Sequence, residues 1–128
     1  MTVTLNHTIV HATDKHASAA FLVEILGLEQ PASYGPFVVV QVGDTSLDFA
    51  DDHAPDGFQR MHYCFLVSED EFDAIWQRIR DRGLTFWADP SHRREGEINH
   101  NDGGRGLYWE DPDRHNLEII TVPYGGWG

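Results

Sequence analysis

The hydrophobic pattern along the chain changes period several times. Residues 3–11 alternate, with Leu5, His7, Ile9 and His11 sharing one face of a predicted strand. From Thr13 or Asp14 to about Leu26, Leu22, Ile25 and Leu26 fall at helical spacing, and Gly27 stands where a left-handed residue closes a helix. After a loop over 30–36, with room for a short strand, the runs 37–42 and 46–50 flank Gly43-Asp44 and predict a hairpin. Residues 60–67 return to alternation, with His62, Cys64 and Leu66 on one face. Ser68 and Glu71 form the S-x-x-E signature that opens a second helix. Its buried stripe is Phe72, Ile75, Trp76 and Ile79, and Gly83 marks its end. Residues 106–109 predict a strand and Asp111-Pro112 a tight turn. The last strand, 116–121, puts Leu117 and Ile119 on one face and Asn116, Glu118 and Ile120 on the other.

These elements repeat. His62 follows His7 by 55 residues and Gly83 follows Gly27 by 56. Strand, helix, glycine and strands recur at one period, which predicts two βαβββ units within a single domain over 1–128. Repeat 1 covers about 1–57 and repeat 2 about 58–128. The predicted class is α+β, with the strands of both units on a curved mixed sheet. Asp48 lies 41 residues after His7 and Glu118 lies 56 after His62, so the second copy carries 15 more. They fall in 88–103, a stretch rich in Gly, Asn, His and Arg. Long loops in compact domains are usually functional or mobile.

The duplication places His7 and His62 at equivalent positions, on the first strand of each copy, and Glu118 on the last strand of the second. A carboxylate on such a strand needs either solvent or an internal partner. Two imidazoles and one carboxylate suit Fe(II), Mn(II), Co(II), Ni(II) or Zn(II) and leave positions open for substrate. The competing reading makes each a half-buried strand residue with an ordinary hydrogen-bond partner. His11 and His53 are candidate general bases, because imidazole titrates near neutrality. His16, His92 and His115 read as surface or turn residues. Hence His62→Ala is expected to abolish metal retention and His115→Ala to leave it nearly unchanged. Trp76 belongs to the helix stripe, whereas Trp87 and Trp109 fit a pocket wall and simple packing equally. The tail 123–128, with Trp127, is a segment for packing on a partner subunit.

Composition narrows the function. Nine Lys and Arg against 21 Asp and Glu give a net charge of −12. That balance disfavours nucleic acid, whose phosphates need a basic face, and anionic membrane surfaces. No apolar run approaches the ~18 residues of a membrane span. Residues 1–5 lack signal-peptide character, and Cys64 is the only cysteine. A reducing, cytoplasmic setting is expected.

Three stretches then carry a family resemblance: Leu5-Asn6-His7, Met61-His62-Tyr63, and the run from Gly106-Leu107-Tyr108-Trp109 through Asp111-Pro112-Asp113-Arg114-His115 to Glu118. The chain resembles the vicinal oxygen chelate superfamily of glyoxalase I, bleomycin- and fosfomycin-resistance proteins and extradiol dioxygenases. The resemblance implies paired βαβββ modules in a half-barrel and a divalent metal on His7, His62 and Glu118. A fourth ligand in that family comes from the position of Asp48, here an aspartate shorter than the usual glutamate. More narrowly, Ile98-Asn99-His100, Leu107-Tyr108, Asp111-Pro112 and Glu118 follow a spacing similar to that of extradiol dioxygenases. By that analogy His100 and Tyr108 are catalytic residues that hydrogen-bond the bound substrate. Arg114 departs from the pattern, which has Gly or Pro there; at positive φ it would cost about 1 kcal/mol.

The implied function is a metal-dependent enzyme whose small substrate chelates the ion through vicinal oxygens, extradiol dioxygenase-like, with Fe2+ favoured over Mn2+, Zn2+, Ni2+ or Co2+. Glyoxalase-type lyase or isomerase chemistry and fosfomycin-type thiol transfer are alternatives. A metal-free, drug-sequestering protein like the bleomycin-resistance relatives is another; the acidic surface fits it, and the intact His7, His62 and Glu118 count against it. A homodimer is implied as well.

Overall fold

A computed structural model describes residues 2–126. Trp127 lies outside the described residues. The chain divides into two units, Met1–Gln59 and Arg60–Gly128. The first contains β1 (His7–Ala12), α1 (Lys15–Leu26), β2 (Ala32–Tyr34), β3 (Phe37–Val42) and β4 (Thr45–Asp51). The second contains β5 (His62–Leu66), α2 (Glu69–Asp81), β6 (Phe86–Trp87), β7 (Gly106–Glu110) and β8 (Asn116–Ile120). Each unit is therefore β-α-β-β-β, the α+β duplication that the repeat predicts.

Each unit forms one four-stranded mixed sheet, in the order β1-β4-β3-β2 and β5-β8-β7-β6. In both, the first strand pairs parallel with the last, and the remaining pairs are antiparallel. Register makes the correspondence specific. His7 lies opposite Ser46 and Ile9 opposite Asp48; His62 lies opposite Asn116 and Cys64 opposite Glu118. Asp48 and Glu118 thus hold the same place in their copies. β1 starts at His7 rather than at residue 3, because β4 begins only at Thr45. The last contacts upstream are Ser46 N–H to the Asn6 carbonyl, 2.9 Å, and Thr45 Oγ1 to the Leu5 carbonyl, 2.7 Å.

The helices begin and end where local chemistry dictates. Asp14 accepts the N–H groups of His16 and Ala17 at the start of α1. Gly27, at φ 72°, closes it with its own N–H and that of Leu28 on the Val23 carbonyl; a side chain there would be strained. Ser68 and Glu71 complete the reciprocal cap of α2 at 3.1 and 2.8 Å. Leu22, Val23 and Ile25 of α1 are buried with Val10, Val38, Val40, Leu47 and Phe49; Phe72, Ile75 and Ile79 of α2 are buried, as are Leu107, Trp109, Leu117 and Ile119. Trp109 is therefore packing rather than pocket wall. No helix among the described residues is long and apolar enough to cross a membrane.

The inserted loop is tied down at both ends. Asn99 and Gly106 exchange backbone hydrogen bonds of 2.9 and 3.0 Å, and Asn99 Nδ2 donates to the Ala88 carbonyl at 2.8 Å. A Cβ on Gly106 would meet Asn99 Oδ1 at 2.9 Å, so only glycine admits this approach. In the β7–β8 turn, Asp111 Oδ1 accepts from the N–H groups of Asp113 and His115, both at 2.9 Å. Arg114 has φ 67°, the strained conformation expected of the residue standing in place of Gly.

His115 corrects the sequence reading. It is fully buried rather than a surface turn residue. Its Nδ1 accepts the Met61 N–H at 2.9 Å, and Tyr63 meets its ring edge-on. The polar turn motif hid this, because β8 starts at the next residue and carries the imidazole under β5. Ser68→Ala should lower the unfolding free energy by about 1 kcal/mol in urea titration. His115→Ala should cost at least about 2 kcal/mol in the same measurement, through a cavity and an orphaned Met61 N–H; it is no longer a neutral control for metal binding.

Candidate functional site

Parallel pairing of β5 with β8 decides which side chains meet in the second unit. Glu118 sits two residues beyond Asn116, the partner of His62, so both side chains stand on one face of the sheet. Their contact is His62 Nε2 to Glu118 Oε1, 3.1 Å. The other ring nitrogen, Nδ1, lies 2.8 Å from the Asn116 carbonyl oxygen. A carbonyl only accepts, so Nδ1 carries the proton, and a neutral imidazole presents its lone pair at Nε2. Two acceptors 3.1 Å apart are stable only with a proton or a cation between them.

Glu118 is otherwise enclosed. Cys64 and Tyr108 are its cross-strand neighbours on either side, and its side chain is 10% exposed. The Tyr108 ring stacks on His62, centroids 5.9 Å apart at 25°. Burial first, then its hydrogen bond to Glu118 and that carboxylate's charge, raise the phenol pKa well above its ordinary value. Burial and then Glu118 push the Cys64 thiol up to about 12, although the residue reaches the surface. Both groups hold their protons at neutral pH.

A cavity of about 450 Å³ opens on this face, lined among others by Asn101, Asp102, Arg105, Tyr108, Glu118 and Tyr124. Arg105 is its only Lys or Arg among the described residues, and it is engaged: Nε and Nη1 each lie 2.8 Å from a carboxylate oxygen, of Glu69 and Asp73 respectively.

The first unit carries a counterpart. His7 and Asp48 line a cavity of about 530 Å³ together with Tyr34, Phe37, Val39 and Ser46. His7 Nδ1 bonds Asn6 Oδ1 at 2.7 Å, and Asp48 accepts from Ser46 Oγ at 2.8 Å. Among the described residues, no group of three or more His, Cys, Asp or Glu side chains is placed to hold a metal ion. His62, Glu118 and Tyr108 are brought together within the second unit, and His7 and Asp48 line one cavity within the first.

The other predicted residues fall elsewhere. His100 is exposed and lines neither cavity. His11 pairs with Asp52 at 3.1 Å, and His53 Nε2 lies 2.9 Å from the Thr13 carbonyl; neither lines either of the two cavities described. His92, read as a surface residue, instead lies flat on Trp87, ring centroids 3.7 Å apart. The sequence reading did not anticipate the part of Asn116 in holding His62. Its part is played by a backbone carbonyl, which no side-chain pattern reveals.

A duplicated βαβββ chain with an imidazole and a carboxylate at matched strand positions defines the class. The chain belongs to the Glyoxalase/Bleomycin resistance protein/Dioxygenase superfamily, which matches residues 4–119. It is similar to the solved structures of oxidase ChaP-H1 (64% identity, 97% of this chain and 99% of that one, TM-score 0.93) and oxidase ChaP-H2 (62%, 100% of both, TM-score 0.94). It is also 30% identical over 124 residues to glutathione transferase FosA of Serratia marcescens, covering 93% of this chain and 81% of that one.

In metal-free protein at pH 8, Cys64 should react with iodoacetamide roughly 1000-fold more slowly than an ordinary thiol, because so little thiolate is present. Glu118→Gln removes the neighbouring charge, lowers the thiol pKa and should accelerate alkylation, as read by mass spectrometry.

Proposed function

We propose that the protein is a metal-dependent, O2-using enzyme of this superfamily that acts as an extradiol-type dioxygenase on a small substrate chelating the ion through vicinal oxygens. The observation that carries the reading is the 3.1 Å approach of His62 Nε2 to Glu118 Oε1, a separation that a shared cation would satisfy as well as a proton. That donor set fits a divalent ion, with His7 as the third ligand and Fe2+ as the first choice. Asp48, already bonded to Ser46, is left out of the set. Once bound, the ion would supply Lewis-acid activation of the chelated oxygens. Tyr108 keeps its phenol protonated at neutral pH and shares that proton with Glu118, so it acts as a hydrogen-bond donor, turning to substrate once an ion takes up the carboxylate, rather than as a base. It is a stronger catalytic candidate than His100, which lies outside the cavity lining. Ring cleavage of this type places both atoms of O2 in the product and needs no external reductant.

Two observations favour oxidation over thiol transfer. The relatives above 60% identity carry the name oxidase, whereas the glutathione transferase stands at 30%. A phosphonate substrate of the fosfomycin kind carries negative charge, which a free cation in the cavity would offset. Among the described residues, Arg105 is the one Lys or Arg lining either cavity, and Glu69 and Asp73 already hold it.

Protein purified anaerobically should contain near-stoichiometric iron, lose it in His62→Ala and Glu118→Ala, and consume O2 with catechols. Zinc, nickel, cobalt or manganese in place of iron would move the assignment to lyase, isomerase or transferase chemistry. No metal after reconstitution would leave a sequestering protein. The reading includes a homodimer, and mixing His7→Ala with Glu118→Ala chains reports which copy supplies His7. Recovered metal binding in the mixture means that it comes from the partner.

A further inference from the structure

We propose that His92 is a positioning residue for the metal-binding imidazole of His62, acting through Asn116; the inference rests on the metal reading above. The side chain of His62 is 48% exposed. Tyr108 stacks on the ring and Glu118 meets Nε2, while the bond from Nδ1–H to the Asn116 carbonyl fixes the ring from its other side and points Nε2 toward Glu118. The question is what holds Asn116. Its N–H donates to the Met61 carbonyl at 2.8 Å, and its side chain is held by the inserted loop. Asn116 Nδ2 faces the Pro90 carbonyl at 3.5 Å, which turns Oδ1 toward His92 Nε2, 2.9 Å away. His92 is thereby the donor. One asparagine thus joins the loop, through its amide, to the metal-binding imidazole, through its carbonyl.

His92 is itself held firmly. Its ring lies on the Trp87 indole at an interplanar angle of 4°, and Glu110 Oε2 is 4.0 Å from Nδ1. Its φ of 60° is unusual for a residue with a side chain. Glycine or asparagine would occupy that conformation more easily, so the imidazole is kept at a backbone position that disfavours it. Outer partners that orient a ligating histidine typically change metal affinity 10- to 100-fold when removed.

The test measures Co2+ affinity by titration calorimetry and the visible absorption of the Co2+ protein, with thermal melting alongside. His92→Gly keeps the left-handed backbone and deletes the ring; it should weaken Co2+ binding about 10-fold or more and shift the absorption bands. His92→Gln, whose amide N–H reaches the place of Nε2, should restore most of the affinity and the native spectrum. Asn116→Leu should reproduce the loss, and combining it with His92→Gly should add little. Wild-type affinity and spectrum in His92→Gly, or a glutamine variant no better than the glycine one, would overturn the proposal. Failure of the wild-type protein to bind Co2+ would instead overturn the metal reading on which it stands.

Discussion

Everything in the second unit turns on one parallel pairing, β5 against β8. The register that sets His62 opposite Asn116 also puts Glu118 two residues further on, on the same face. From that follow the 3.1 Å approach of imidazole and carboxylate and the bond of the second ring nitrogen to the Asn116 carbonyl. A slip of one residue would turn Glu118 to the opposite face. The turn before β8 protects against such a slip. Asp111 accepts two backbone N–H groups, Arg114 accepts a left-handed conformation, and buried His115 ties Met61 to the start of the strand.

The enclosed carboxylate then shapes its neighbours. Glu118 is nearly surrounded by β5 and β7, so Cys64 and Tyr108 share its face at close range. Their protons are retained by the same two causes, burial and the adjacent negative charge. Groups that ionise in mildly alkaline water stay protonated, as hydrogen-bond donors, here. That arrangement suits a site built to hold a cation and to offer hydrogen bonds around it.

Duplication explains why the two units look alike and behave differently. The first keeps an imidazole and a carboxylate at the same register positions as the second. Its shorter aspartate bonds Ser46, and His7 bonds Asn6. The second has a longer carboxylate and the inserted loop, and the loop reaches back to Asn116. Apolar side chains are prominent around His7, whereas amide and carboxylate groups are prominent around Glu118.

Much was legible in the sequence because it rests on local rules. Alternation marks strands, the S-x-x-E box opens α2, Gly27 closes α1, and the 55-residue spacing of His7 and His62 announces the duplication. His62 and Glu118 stood out for the same reason, since their chemistry conflicts with an apolar strand face. Other features depended on partners distant in sequence. His115 looked like a turn residue until β5 was laid over it, and His92 looked exposed until Trp87 and Asn116 closed around it. A backbone carbonyl is common to every residue type, and that of Asn116 meets His62 Nδ1 only because of where the strand puts it. The sequence by itself determined the elements, their repetition and the residues able to bind a metal, because period and side-chain chemistry are local. Tertiary structure alone decided which nitrogen of His62 carries its proton and what holds that ring, because hydrogen-bond direction depends on strand register across 54 residues of chain.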